Sequence, residues 1–326
     1  MKKISAKRAV AIFITFLVAG LMVLVFTRYQ RDIRQARERI SVGSQIAQTP
    51  CGPIEYAVAG EGPPVLVVHG AGGGYDQGLE FSEGLAQSGF RVIAMSRFGY
   101  LRTPMPADAS AAAQADAHAC LLDALNIPRA AILAASAGAP SSMQFALRHP
   151  ERTTALVLLI PIAYPSHVVQ NLEGALSKQT LTAAKFLIET SLRSDFIFWA
   201  VPRLAPKSVI PALLATPQSV LEHASADERV RVRQMLECML PISARRQGTL
   251  NDALITPFLP RYELERIAAP TLILSTADDL FRTYDGARYS AEHIPHARFI
   301  GYPSGGHLLV GHYKEVTSLI ASFLKK

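Results

Sequence analysis

Ala130-Ala131-Ile132-Leu133-Ala134-Ala135-Ser136-Ala137-Gly138 sets a serine among small residues at the end of an apolar run. The run Ala130–Ala134 reads as a short buried strand, and Met143-Gln144-Phe145-Ala146-Leu147 beyond it as a helix. A serine on so sharp a strand-to-helix turn keeps its hydroxyl exposed above the end of a sheet, and only small neighbours let the turn close. The pattern that builds such turns is G-x-S-x-G; here Ala134 stands in for the first glycine, at a position that needs smallness more than φ > 0. Ala/Ser/Gly clusters also make ordinary small-residue turns, so the surrounding chain decides.

Upstream, Val65-Leu66-Val67-Val68 runs into the glycine-rich His69-Gly70-Ala71-Gly72-Gly73-Gly74. Downstream, Thr271-Leu272-Ile273-Leu274-Ser275 ends in Thr276-Ala277-Asp278-Asp279, and the strand Ala297–Tyr302 leads to Gly305-Gly306-His307. Serine, then acid, then histidine, each just past the carboxyl end of a strand, resembles the α/β-hydrolase superfamily over residues 44 to 326. The resemblance implies a mostly parallel eight-stranded α/β sheet flanked by helices. Strands are expected at Ser44–Thr49, Ile54–Ala59, Val65–Val68, Arg91–Met95, Ala131–Ala134, Leu156–Ile160, Leu272–Ser275 and Arg298–Tyr302.

A serine hydroxyl needs a general base to become a nucleophile at neutral pH. His307, in a loop loosened by two glycines, has the best claim to serve Ser136. The superfamily's G-x-x-D turn maps onto Thr276-Ala277-Asp278-Asp279 and selects Asp279 as the acid that holds the histidine tautomer, with Asp278 the alternative because Thr276 replaces the glycine. The resemblance places oxyanion donors at the N–H of Ala137 and of Ala71, or of Gly72 if the loop is wound differently. His69 is expected to brace its loop, Arg97 and His149 to be structural, and His312 to face solvent or pack. Serine at the elbow disfavours the aspartate-dependent haloalkane dehalogenases and epoxide hydrolases, and His69-Gly70-Ala71-Gly72 departs from the His-Gly-Gly-Pro-Gly loop of proline iminopeptidases. The expected chemistry is hydrolysis of a small apolar or moderately sized carboxylic ester through an acyl-enzyme. Lactone, thioester or carbon–carbon bond hydrolysis stands as the alternative, and a non-catalytic binding scaffold as the reading from a different class. No metal and no organic cofactor are implied.

The net charge of +7 does not point to nucleic acid. Nine of the 33 Lys/Arg and two of the 26 acids precede residue 46, leaving 24 of each sign in the rest. Ala9–Phe26 is uncharged, with Thr15 its one polar interruption, and 18 residues of helix rise about 27 Å against a hydrocarbon core of about 30 Å. No A-x-A site follows the run closely, so the segment reads as an uncleaved single-pass anchor contacting membrane lipid. Basic residues on both flanks nearly cancel the positive-inside signal; a non-cytoplasmic catalytic domain is the expectation.

The resulting organisation is a basic flank (1–8), an anchor (9–27), a basic linker read as a solvated stalk (28–43), the first part of the core (44–163), a helical cap (164–262) and the second part of the core (263–326). Cap helices are expected at Thr182–Leu192, Phe196–Val201, Val209–Ala215 and Arg229–Leu240. Of Phe186, Phe196, Phe198, Trp199, Leu213 and Met235, a minority should line the substrate pocket. Cys51, Cys120 and Cys238 are a sparse, odd set without metal spacing; Cys120 reads as an inert core residue, with a disulfide between two of the three left open.

Overall fold

A computed structural model describes residues 6–164, 190 and 192–326. Eight strands form one sheet in the order β1-β2-β4-β3-β5-β6-β7-β8. They are β1 (Gln45–Thr49), β2 (Gly52–Ala59), β3 (Pro64–Val68), β4 (Arg91–Met95), β5 (Ala130–Ala135), β6 (Thr153–Leu159), β7 (Thr271–Thr276) and β8 (Arg298–Tyr302). The pairs β1–β2 and β2–β4 are antiparallel; β4–β3–β5–β6–β7–β8 run parallel. All eight expected strands are present.

The helices bearing on the core and the site are α1 (Ala6–Ser41), α2 (Tyr75–Gln87), α3 (Ala111–Ala124), α4 (Ala139–Arg148), α5 (Asp195–Leu204), α6 (Pro206–Leu213), α7 (Gln218–His223), α8 (Ala226–Cys238), α9 (Arg246–Ile255), α10 (Thr283–His293) and α11 (Tyr313–Leu324). Alternation along β3 shows why the sheet is covered on both faces. Leu66 and Val68 pack with Ile93, Ile132 and side chains of α3, α4 and α10, whereas Val65 and Val67 pack with Val92, Leu133 and side chains of α2 and α11. Every parallel strand therefore ends on the same edge, where its following loop gathers the polar groups.

Between β6 and β7 the described residues are helical, carrying α5 to α9. The expected helix Thr182–Leu192 lies almost entirely outside the described residues, as does Phe186. α7 and α9 were not anticipated, the first because of its brevity and the second because its face is largely polar.

Two expectations about the chain's periphery change. Cys51, in the β1–β2 turn, is bonded to Cys120 of α3, with Cα atoms 6.1 Å apart, so Cys120 is not an inert core residue. Residues 28–43 are not a solvated stalk: α1 continues without a break to Ser41, and its second half docks. Tyr29, Ile33 and Ala36, at helical spacing, meet Leu192, Phe198, Trp199, Leu240 and Ile242. Trp199 Nε1 donates to Asp32 Oδ2 at 2.9 Å, and Arg39 Nη2 donates to the Leu240 carbonyl at 2.7 Å. The first half of α1, over its apolar run, is exposed and long and apolar enough to cross a membrane.

Candidate active site

β5 delivers Ala135 to the sheet edge, and the chain then turns through Ser136 at φ 50° before α4 begins. A positive φ at a residue with a β-carbon costs of order 1–2 kcal/mol, a strain kept where it aims a functional side chain. Gly138 closes the turn. A β-carbon there would lie 2.5 Å from the Val68 carbonyl oxygen and 2.7 Å from that of His69, so only glycine admits β3 so close. Ala134 is still in the extended strand, which is why an alanine serves in its place.

His307 follows β8 in a loop opened by Gly305 (φ 134°) and Gly306 (φ 57°). Its Nε2 lies 2.8 Å from Ser136 Oγ and its Nδ1 3.1 Å from Asp279 Oδ2. Asp279 is buried and accepts further hydrogen bonds from the N–H groups of Phe281 (3.0 Å) and Thr283 (3.3 Å) and from the Thr283 hydroxyl. Burial pushes its pKa up, but the His307 charge and these donors outweigh it and leave the carboxyl below its ordinary range. Asp278 points elsewhere: its oxygens accept the N–H groups of Gly306 (2.8 Å) and Gly305 (3.2 Å), holding the loop that carries His307. Ser136, Asp279 and His307 are thus brought together, and Asp278 is not in contact with the imidazole.

The His69–Gly74 loop faces Ser136. The Gly70 N–H donates to Gln77 Oε1 (3.1 Å), the Gly72 N–H to Tyr100 Oη (3.3 Å) and the Gly73 N–H to the Gly70 carbonyl (3.3 Å). Among the described residues, the N–H groups of Ala71 and Ala137 have no protein acceptor. Gly72 is therefore engaged, whereas the two alanines remain available as donors.

The loop is clamped from behind. Burial, reinforced by the charge of Arg97, holds His69 well below its ordinary pKa, so the ring is neutral. Nε2 accepts the Arg97 N–H at 3.0 Å, which leaves the proton on Nδ1 for the Gly70 carbonyl at 2.7 Å. Arg97 donates through Nε to the His69 carbonyl (2.9 Å) and makes a two-pronged pair with Asp252 of α9 (2.8 and 2.6 Å). Asp252 also accepts from Tyr100 Oη. Arg245, fully buried, donates to the Gly73 carbonyl (2.6 Å) and to both oxygens of Asp76 (3.0 and 2.7 Å). Sequence reading gave Arg97 and His69 their structural roles but missed Tyr100, Asp252, Arg245 and Asp76, whose partners lie about 150 residues or more away. His149 bonds Asp116 (2.9 Å), and His312 bonds the Ser304 carbonyl (3.1 Å) and stacks on Tyr302, so both are structural.

A largely apolar cavity of about 360 Å³ opens over Ser136 and His307. Phe198, Leu213 and Met235 line it, joined by Met239 and Phe281, whereas Phe196 and Trp199 face α1 instead. Of the five suggested cap residues that are described, three reach the pocket, more than expected. Among the described residues, no three His, Cys, Asp or Glu side chains converge as a metal site needs.

Residues 63–311 match the family model described as alpha/beta hydrolase fold. The "uncharacterized hydrolase YcgS" of Bacillus subtilis is 27% identical over 283 residues, 84% of this chain and 95% of its own. A 2-hydroxy-6-oxononadienedioate/2-hydroxy-6-oxononatrienedioate hydrolase of Paraburkholderia xenovorans is 29% identical over 248 residues, 71% of this chain and 76% of its own. Among solved structures, an alpha/beta hydrolase fold protein from Nakamurella multipartita has a TM-score of 0.69 at 27% identity, covering 86% of this chain and 99% of that one.

Proposed function

Because the chain belongs to the alpha/beta hydrolase fold family, and is a hydrolase, we propose that it is a membrane-anchored serine hydrolase that cleaves a carboxylic ester through an acyl-enzyme. One observation carries the reading: Ser136 Oγ, His307 Nε2 and Asp279 Oδ2 form a continuous hydrogen-bonded line beside two unengaged N–H groups. Ser136 Oγ attacks the ester carbonyl while His307 Nε2 takes its proton, and Asp279 stabilises the resulting imidazolium. The N–H groups of Ala71 and Ala137 receive the oxyanion; each such donor is worth about 3–4 kcal/mol in the transition state. Collapse breaks the C–O bond, and the alcohol leaves with the proton from His307. Water, deprotonated by the same imidazole, then attacks the acyl-enzyme and releases the acid.

The apolar lining around Ser136 supports an ester with an apolar acyl group. The relative named as a 2-hydroxy-6-oxononadienedioate hydrolase supports carbon–carbon bond cleavage as the second reading. Among the described residues lining this cavity, however, Arg231 is the arginine that could meet a dicarboxylate, and it is already paired with Glu228 at 2.6 Å. The Cys51–Cys120 bond supports a catalytic domain on an oxidising, non-cytoplasmic side, with α1 crossing the membrane.

A fluorophosphonate probe tests the nucleophile. Native protein should label at Ser136, and Ser136→Ala should abolish both labelling and ester turnover while the fold persists. Labelling at Ser141 or Ser142, both buried in α4 and bonded to the Gly138 carbonyl, would overturn the assignment.

A further inference from the structure

A second cavity, of about 900 Å³, lies between α1 and the outer face of α5, α6 and α8. Leu24, Val25 and Arg28 form one wall; Phe198, Leu204 and Leu236 belong to the other. Among the described residues, Phe198 is the side chain that lines both this cleft and the Ser136 cavity. The volume falls within the range of about 300–1,000 Å³ typical of ligand sites.

Three features say what occupies it. Leu24 and Val25 belong to the apolar run of α1, so the anchor that spans a bilayer holds the cleft mouth at acyl-chain depth. Just beyond, Tyr29 packs edge-on against Phe196 (5.1 Å between ring centroids) and Trp199 (5.6 Å), an aromatic cluster at the level where such rings favour the membrane interface. At that same level Arg28, Arg203 and Arg233 line the rim beside one carboxylate, Glu237, so the lining keeps a net positive charge. Arg203 is tied to Asp32 at 3.3 Å, but Arg28 and Arg233 make no ion pair or hydrogen bond among the described residues. Leu204, 83% exposed, and Phe196 continue the apolar surface outward along α5. An apolar slot with a cationic collar at headgroup height matches an anionic phospholipid, chain inward and phosphate outward.

We propose that this cleft binds an anionic membrane phospholipid, its acyl chain between α1 and Phe198 and its phosphate at Arg28, Arg203 and Arg233, and that such acyl esters are the substrates of Ser136. The proposal rests on the reading of α1 as an anchor and of Ser136 as the nucleophile. Ser136 takes the acyl group, the lysophospholipid leaves with the proton from His307, and water releases the fatty acid. Phe198 is the gate through which the chain reaches the serine.

The test uses full-length protein carrying Ser136→Ala, which leaves lipid uncleaved, in phosphatidylcholine vesicles containing phosphatidylglycerol with a mid-chain diazirine. Irradiation and peptide mapping should place label on residues 196–210 and 231–240 as well as on the bilayer-facing residues 10–23. Ala200→Trp, which fills the cleft, should cut the first two about tenfold relative to the third. Arg28→Glu combined with Arg233→Glu, both at exposed positions, should lower phosphatidylglycerol labelling of the cleft about fivefold or more without unfolding the domain. Label confined to 10–23 overturns the site, and so does a cross-linked dimer joined through residues 196–210, since a second chain would then cover the face. With Ser136 restored, Ala200→Trp should lower the ratio of vesicle-borne phosphatidylglycerol hydrolysis to soluble butyrate-ester hydrolysis about tenfold; an unchanged ratio overturns the substrate assignment. Fluorophosphonate labelling is read separately, so an incorrect nucleophile is told apart from an incorrect lipid site.

Discussion

Replacing Asp279 by asparagine discriminates the geometry most sharply, because the change removes charge and one acceptor while keeping shape. Oδ2 faces three donors, His307 Nδ1, the Thr283 hydroxyl and the Thr283 N–H, while Oδ1 faces the Phe281 N–H. An amide must turn its NH₂ toward one side. Toward Phe281, two fixed donors collide. Toward His307, the Thr283 hydroxyl can rotate to accept and the imidazole can move its proton to Nε2, leaving the longer Thr283 N–H contact to suffer. Either orientation strands one buried donor, at about 1–3 kcal/mol of stability. The second is the less costly, and it puts a proton where the base toward Ser136 must be a lone pair. Turnover should therefore fall about 10⁴-fold, or about 5 kcal/mol of activation free energy, as in other triads whose tautomer is reversed. Asp278→Asn loses one of two N–H contacts to the His307 loop and should fall only about tenfold. Steady-state turnover of a soluble ester, with folding checked by thermal melts, measures both variants. Near-normal turnover in Asp279→Asn beside collapse in Asp278→Asn would refute the reasoning.

Deleting residues 1–27 should yield a soluble, folded domain, whereas deleting 1–43 strips Ile33 and Ala36 from the α5 face and should lower the melting temperature and promote aggregation, since a buried isoleucine alone contributes about 1.5–3 kcal/mol. Burial holds His69 and His118 neutral in the folded state, His118 down to a pKa of about 3. The unfolded chain protonates both near its ordinary ~6.5, so urea titrations should show stability falling as pH drops below that value, by about 1.4 kcal/mol per pH unit for each histidine, and His118→Gln should remove its share. Asp252→Ala leaves Arg97 buried and unpaired and should cost about 3–5 kcal/mol in a denaturant melt, with Arg97→Met on that background recovering part of it.

The inner parallel strands were legible because β3 to β7 are short, largely apolar runs such as Val65–Val68 and Ala130–Ala135, a signal that survives without any knowledge of partners. The elbow was legible because its constraint is local: Gly138 is demanded by backbone oxygens, and Ser136 sits one turn from the strand that aims it. The clamp behind the His69–Gly74 loop was not. Arg97 and Asp252 are 155 residues apart, and Arg245 and Asp76 are 169 apart; nothing in either neighbourhood names the other. The docked half of α1 was hidden for a different reason. Its apolar stripe is three residues, Tyr29, Ile33 and Ala36, set among five arginines that dominate any reading by composition. The Cys51–Cys120 bond was invisible because the β1–β2 turn and α3 become neighbours only when the antiparallel edge of the sheet forms.

These missed contacts converge, and their convergence changes what the N-terminal helix is. Arg39, in its last turn, lies 3.5 Å from Asp76 Oδ2, the same oxygen that receives Arg245 Nη2 at 2.7 Å. Arg245 in turn holds the Gly73 carbonyl in the loop that presents Ala71 to Ser136. Tyr75, the residue before Asp76, donates its hydroxyl to the carbonyls of Arg39 (3.1 Å) and Val42 (3.0 Å), tying the helix end to the same spot. Asp76 answers both guanidinium groups, so its loss would leave the buried Arg245 without a carboxylate and release the end of α1 as well. The helix is therefore mechanically continuous with the His69–Gly74 loop. The exposed apolar run ends at Phe26, and from Tyr29 onward the helix is packed as part of the folded hydrolase domain.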